Sequence, residues 1–203
     1  MKYLLFSIVL AITFVPAMAQ QDGYSSLHWD IGFGIGSTHD FIGKPSFRGL
    51  GFDYKKMVNG NVGVGLSVGW QTFYEHRSNE TYTNTTADGS SVQYTGIQYR
   101  YLNAFPIHIN TDYYFGEDGK EVRPFIGLGV GTLFSERKIN MGSFSATNNT
   151  WQFSLQPEVG VLYNIQSDAA FLISGKYTSP FRNNTFDSQP YFALNIGIVW
   201  ILH

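Results

Sequence analysis

The chain has 203 residues and a formal net charge of −2, and only 14% of its residues are charged. That is well below the roughly one quarter usual in soluble domains. There is no basic excess to hold a nucleic acid, and the absence of cysteine excludes disulfides and thiolate chemistry.

Met1–Ala19 reads as a cleaved signal peptide. Lys2 supplies the positive start, Tyr3–Val15 the apolar run, and Ala17-Met18-Ala19 the small-x-small cleavage site. The run is shorter than the ~20 residues that a spanning helix needs. The mature chain is expected to begin at Gln20 and to form one domain over 20–203.

Beyond the leader the apolar residues recur at every second position, which is the period of a strand with one oily face. A first strand is expected at about 28–37, with Trp29, Ile31, Phe33 and Ile35 against His28, Asp30 and glycines. After a polar loop at 38–45, a second runs over about 47–56, with Leu50, Phe52 and Tyr54 against Asp53 and Lys55. Asn59-Gly60 then signals a tight hairpin turn, since this pair tolerates positive φ. The third strand, about 61–74, has the clearest alternation: Val62, Val64, Leu66, Val68 and Trp70 against Gly63, Gly65, Ser67 and Gly69.

The segment 75–91 is rich in Ser, Thr and Asn and reads as a long loop. The fourth strand, about 92–114, turns Ile97, Phe105, Ile107 and Ile109 one way and His108, Asn110 and Asp112 the other. Asn103 falls on its apolar face, which suggests a bulge there. A fifth strand is expected at about 122–134, a loop at 135–149 and a sixth strand at about 150–163. The seventh follows at about 169–178, a loop at 179–189, and the eighth at 190–203. Connections thus alternate long and short, as in an outer-membrane barrel with outer loops and short periplasmic turns.

Aromatic residues cluster near the strand ends on the apolar face. Trp29, Tyr54, Tyr113, Tyr163, Phe171 and Trp200 are expected at the periplasmic level. Trp70, Tyr74, Tyr99, Phe134, Trp151, Tyr177 and Phe192 are expected at the outer level. Two such girdles suit the two membrane interfaces. An open sheet in lipid would leave edge amides unpaired, so the fold class is an all-β, eight-stranded, antiparallel up-and-down transmembrane β-barrel. A barrel this narrow is filled by its own side chains, which gives the inward glycines a reason.

Gly32-x-Gly34-x-Gly36 and Gly127-x-Gly129-x-Gly131 alternate inside strands with no helix after them, so they are not phosphate loops. None of the five histidines has metal-ligand spacing on a helix. His28 and Asp30 share a face and read as a hydrated rim pair, and His108 reads as a lumenal residue. No catalytic, cofactor-binding or metal residue is expected, and no cofactor. Glu158 and Lys176 flank the short turn before the seventh strand nearly symmetrically and share the inward parity. A lumenal ion pair is expected between them, because a buried charge needs a partner. The Asn-x-Ser/Thr triplets at Asn79 and Asn84 sit in a segment where they arise by chance.

On Val62–Trp70, Val122–Gly131 and Leu194–Trp200 the chain resembles the small outer-membrane β-barrels of Gram-negative bacteria, the porin-like or OmpA/OmpX-like family. The resemblance implies an integral outer-membrane location, contact with membrane lipid and lipopolysaccharide, and insertion by the barrel assembly machinery. Such barrels usually end in an aromatic residue read by that machinery, and Trp200 is the nearest candidate. Fold alone does not settle their task. The leading expectation is a non-enzymatic barrel with an envelope-integrity or surface-binding role. Alternatives are a narrow conduit for small molecules, a lipid A-modifying enzyme, and a soluble lipocalin-like barrel. A His-x-Ser triplet like that of the deacylases occurs at His76-Arg77-Ser78, in the segment read as a long loop rather than on a membrane-facing strand.

Overall fold

The computed structural model describes residues 23–85, 89, 91–117, 120–142, 144–166, 168–183 and 186–202. The expected leader and its cleavage site lie outside them. The strands are β1 (Gly23–Gly34), β2 (Gly49–Met57), β3 (Val62–Thr85), β4 (Ser91–Tyr114), β5 (Val122–Met141), β6 (Phe144–Gln166), β7 (Ala169–Pro180) and β8 (Tyr191–Leu202). Each pairs antiparallel with the next, and β8 closes on β1 from Gly23↔Leu202 to Gly34↔Tyr191. No edge is left unpaired in the ring, which is what a sheet in hydrocarbon requires.

The oily positions point outward. Val64, Leu66, Ile196 and Ile198 are 38–47% exposed, while their neighbours Ser67 and Asn195 are buried. This is the reverse of a soluble barrel, so the lipocalin-like alternative fails on orientation. Narrowness explains particular glycines. A Cβ at Gly197 would stand 2.6 Å from the Cβ of His28, and one at Gly51 would collide with its imidazole. Both strands next to β1 therefore surrender a side chain so that one ring can lie across the bore.

The structure departs from the sequence reading mainly outside the membrane. β1 starts at Gly23, earlier than expected. The segments 75–91 and 135–149 are not long loops. β3 and β4 are each 24 residues long and continue pairing to Thr85↔Ser91, and β5 and β6 pair to Met141↔Phe144, with Gly142 turning at φ 58°. Above the membrane neither face meets lipid, so the oily alternation fades while Thr, Tyr and Val still favour extended backbone. The β3–β4 ladder has one irregularity, between Arg77 and Glu80, and the β6–β7 ladder has another between Asn164 and Gln166.

The loop 38–45 contains a short helix, α1 (Ser37–Phe41), which tucks Phe41 and Ile42 into the barrel mouth. The turn after β2 uses a different device from the expected one. Gly60 is not among the positive-φ glycines; instead the Asn59 side chain accepts the backbone N–H groups of Asn61 (2.9 Å) and Val62 (2.8 Å). Nor is there a bulge at Asn103. Its register is unbroken on both sides, and it is held by Thr72, whose hydroxyl donates to it at 2.8 Å, and by Glu136, to which it donates at 3.1 Å.

Candidate functional site: a plugged lumen and an outer vestibule

An outer aromatic band runs along β3–β6. Trp70, Phe105, Phe134 and Trp151 follow one another with ring centroids 6.2, 6.1 and 5.2 Å apart. One level up, Tyr74 and Tyr101 touch at 5.0 Å and Arg48 lies over Tyr74. Tyr99 stands higher still, opposite His76 on the emergent hairpin, and Tyr177 pairs with Phe192 across β7–β8. At the other end Tyr54, Tyr113, Tyr163 and Trp200 occupy the ends of their strands near the short turns, with Tyr163 donating to Glu121 at 2.8 Å. Trp29 is a correction. It packs against Phe47 in the outer β1–β2 connection and donates to its carbonyl at 2.8 Å, because the early start of β1 carries it past the periplasmic level.

The bore is built in three layers. Next to the outside, Phe73, Leu102 and Leu133, all with no exposed surface, pack with Ile42, Phe41 and Tyr191. Next to the periplasm, Tyr24, Tyr114, Phe125, Leu162, Leu172 and Val199 form a second apolar plug. Arg123 braces that plug, donating to Tyr24 Oη at 2.5 Å and to the Gly60 carbonyl. Between the plugs lies a charged layer. Two spaces beside it measure about 10 and 20 Å³, room for a water molecule or so each.

That layer contains the carboxylates of Asp30, Asp53, Asp112 and Glu158, with Lys55, Lys176 and His28, all buried. Glu158 and Lys176 do stand opposite each other in register and both face inward. Each nonetheless has a different closest partner. Lys176 Nζ donates to both oxygens of Asp53, at 2.9 and 2.8 Å, and lies 3.3 Å from His28 Nε2. Lys55 contacts Asp112 and lies 3.6 Å from Glu158. The barrel is so narrow that a long lysine reaches across the bore more readily than along its wall.

His28 and Asp30 are not a rim pair. Both are buried in the central layer, in contact through Nδ1 and Oδ1, and Asn195 donates to Asp30 at 2.8 Å. The His28 Nε2 faces both Lys176 Nζ and Asp53 Oδ2, at 3.3 Å each, while Nδ1 faces Asp30 and the Asn195 amide. A histidine–carboxylate pair resembles part of a catalytic site, but this one is shut away from solvent and lipid by the plugs and the wall. His108 faces the lumen, as expected, and shares a hydrogen bond with Ser154 at 2.8 Å. Sequence reasoning singled out two lumenal charges and passed over Asp53, Lys55, Asp112 and Arg123. Their inward parity was the available signal; their partners lie on strands far apart in sequence. No cluster of metal-ligating side chains occurs among the described residues.

Above the outer plug the wall opens into a cup of about 390 Å³ lined by Ser37, Asp40, Phe41, Thr81, Gln98, Arg100, Arg137, Ile139 and Asp187. Its rim is tied down by Glu75, which accepts the Gly43 amide at 2.9 Å and an Arg77 N–H at 3.2 Å. Glu75 stands beyond the aromatic band, outside the membrane. Partial burial raises its pKa, but these hydrogen bonds and the charges of Arg77 and Lys44 outweigh that and hold the carboxyl below its ordinary range.

An outward apolar belt, an aromatic boundary, a filled bore and emergent hairpins together define a small integral outer-membrane β-barrel. The family described as the outer membrane protein beta-barrel domain matches residues 7–200, and the chain belongs to it. No curated protein sequence matches the chain. Among solved structures it is similar to Ail, the attachment invasion locus protein of Yersinia pestis, with a TM-score of 0.55 at 11% identity over 89% of this chain and 98% of that one. Neisserial surface protein A gives 0.54 at 12% over 89% and 97%, and OprG of Pseudomonas aeruginosa gives 0.53 at 14% over 92% and 99%. Identities this low speak to the fold alone.

Proposed function

We propose that this protein is a non-enzymatic outer-membrane barrel that works at the cell surface, with its membrane-embedded part acting as a closed pedestal for the β3–β4 and β5–β6 hairpins. The observation that carries this reading is the pair of apolar plugs on either side of the charged layer. A solute would have to pass Phe73, Leu102 and Leu133, then the ion pairs, then Tyr114 and Phe125. The conduit alternative lacks an open path among the described residues, and the lumenal histidine–carboxylate pair that an enzymatic role could use is sealed from solvent. Purified protein in planar lipid bilayers is expected to give no reproducible single-channel steps; regular steps from the wild type would overturn the reading. Lipid A from cells with and without the gene is expected to have the same acyl pattern, and a changed pattern would restore the enzymatic alternative.

The same reading places lipopolysaccharide against the outward rim, where Arg48, Tyr74 and Tyr101 stand just above the aromatic band, and assigns insertion to the barrel assembly machinery. It also takes the mature domain to begin at Gln20. The intact mass of protein extracted from membranes tests that boundary, and retention of Met1–Ala19 would disprove it.

A further inference from the structure

The two arginines of the vestibule differ in how they are satisfied. Arg100 donates to the Phe41 carbonyl at 3.2 Å, to Glu80 at 3.4 Å and to Gln98. Arg137 has its guanidinium carbon 3.9 Å from the centre of the Phe41 ring and 6.0 Å from that of Phe186. Among the described residues it makes no hydrogen bond or ion pair. It stands three residues beyond Phe134 of the aromatic band, on the inward face of β5, and opens on the 390 Å³ cup.

A guanidinium carries five donors in a flat fork, and stacking on an aromatic face uses none of them. Burial disfavours the Arg137 charge, the carboxylate of Asp187 offsets part of that, and Arg100 adds like-charge repulsion, so an anion placed in the cup would still be favoured. The remaining lining limits the anion. Asp40 and Asp187 share the wall, Asp187 with Arg182 beside it at 3.4 Å, so a multiply charged group would be repelled. Ile139 and the small uncovered part of Phe41, which is 5% exposed, supply an apolar surface, and the volume falls within the range of small-molecule sites, roughly 300–1,000 Å³.

We propose that the vestibule binds a small amphipathic carboxylate, with the carboxylate on the free fork of Arg137 and the apolar body over Phe41 and Ile139. This inference rests on the reading of a sealed, surface-acting barrel, since the outer plug makes the cup a blind end. It names the ligand class that such a surface would take. Recognition comes from two parallel N–H···O bonds and from burial of the apolar body; neither requires the barrel to move.

The test uses full-length mature protein in lipid nanodiscs, with phenylacetate as the probe and phenylacetamide as its uncharged counterpart, followed by titration calorimetry. Phenylacetate is expected to bind and phenylacetamide to bind at least about tenfold more weakly, the factor that a charge-assisted hydrogen bond supports. Arg137→Gln is expected to weaken phenylacetate binding by about tenfold or more, and Arg137→Lys by less, because it keeps the charge and loses the fork. Lys120→Gln, in the turn between β4 and β5 at the opposite end of the barrel, is expected to leave binding within about twofold, since its charge is screened at that distance. Heat-modifiable gel mobility verifies that each variant is folded. Equal binding of phenylacetamide, no effect of Arg137→Gln, or no phenylacetate binding by the folded wild type would each refute the proposal. Bilayer recordings on the same preparations separate the two ideas: a silent bilayer without phenylacetate binding discards the ligand and keeps the sealed barrel, whereas channel steps discard the sealed barrel.

Discussion

Replacing Lys176 by Met tests the lumenal network most directly. The substitution keeps most of the side-chain volume and removes the one ammonium that donates to both oxygens of Asp53. Asp53 is 1% exposed and would retain only His28 Nε2 at 3.3 Å and the Ser26 hydroxyl at 3.5 Å. Removing one partner of a buried pair costs about 3–5 kcal/mol, because the other charge is left without compensation in a medium that solvates it poorly. The remaining contacts with His28 and Ser26 offset part of that, so the expected loss lies toward the lower end, about 3 kcal/mol. Adding Asp53→Leu removes the stranded charge, and the double variant is expected to regain most of the loss. The assay is reversible urea unfolding in lipid vesicles, followed by tryptophan fluorescence and gel mobility. The same cycle run with Glu158→Gln discriminates between partners. The structure requires the Lys176–Asp53 coupling to exceed the Lys176–Glu158 coupling, although Glu158 is the residue directly opposite in register. A Lys176→Met loss below about 1 kcal/mol, or a larger coupling to Glu158, would refute the reasoning.

Three other substitutions probe other parts of the design. Phe73→Ala empties the outer plug and should destabilise by about 3–5 kcal/mol in the same unfolding assay. Bilayers with this variant should stay silent, because the periplasmic plug remains; steady current would mean that Phe73 alone is the seal. Gly197→Ala forces a methyl group to within 2.6 Å of the His28 Cβ and should cost about 1–3 kcal/mol. Unchanged stability would show that the β1 backbone at Leu27 and His28 can give way. Glu75 has a folded-state pKa below its ordinary value, so its contribution is present above the ordinary carboxylate range and lost as pH falls through the folded value. Proteolysis of the 38–45 connection should therefore accelerate in acid with the wild type and already be fast at neutral pH with Glu75→Gln. A cleavage rate in Glu75→Gln equal to wild type at neutral pH would remove the tether from the argument.

The membrane-embedded half of this protein was legible in its sequence because one face of every strand meets hydrocarbon. Lipid imposes a period of two on Val62–Trp70 and Leu194–Trp200, and a period of two fixes strand, face and, through the need to pair every amide, closure. The emergent hairpins were not legible, since Glu75–Thr85 and Glu136–Met141 have no oily face and extended polar strands look like loops. Parity likewise put Asp53, Lys55, Asp112, Glu158 and Lys176 inside the bore. It could not choose partners among them, because contacts across an eight-stranded cylinder depend on the stagger of strands that are remote in sequence. The same stagger brings Phe41 from the first connection over the arginines of β4 and β5. The sequence by itself determined that this chain is an inside-out barrel with charges in its centre; only the closed tertiary structure decided which charges meet, where the bore is plugged, and that a cup holding the Arg137 guanidinium stands at its outer end.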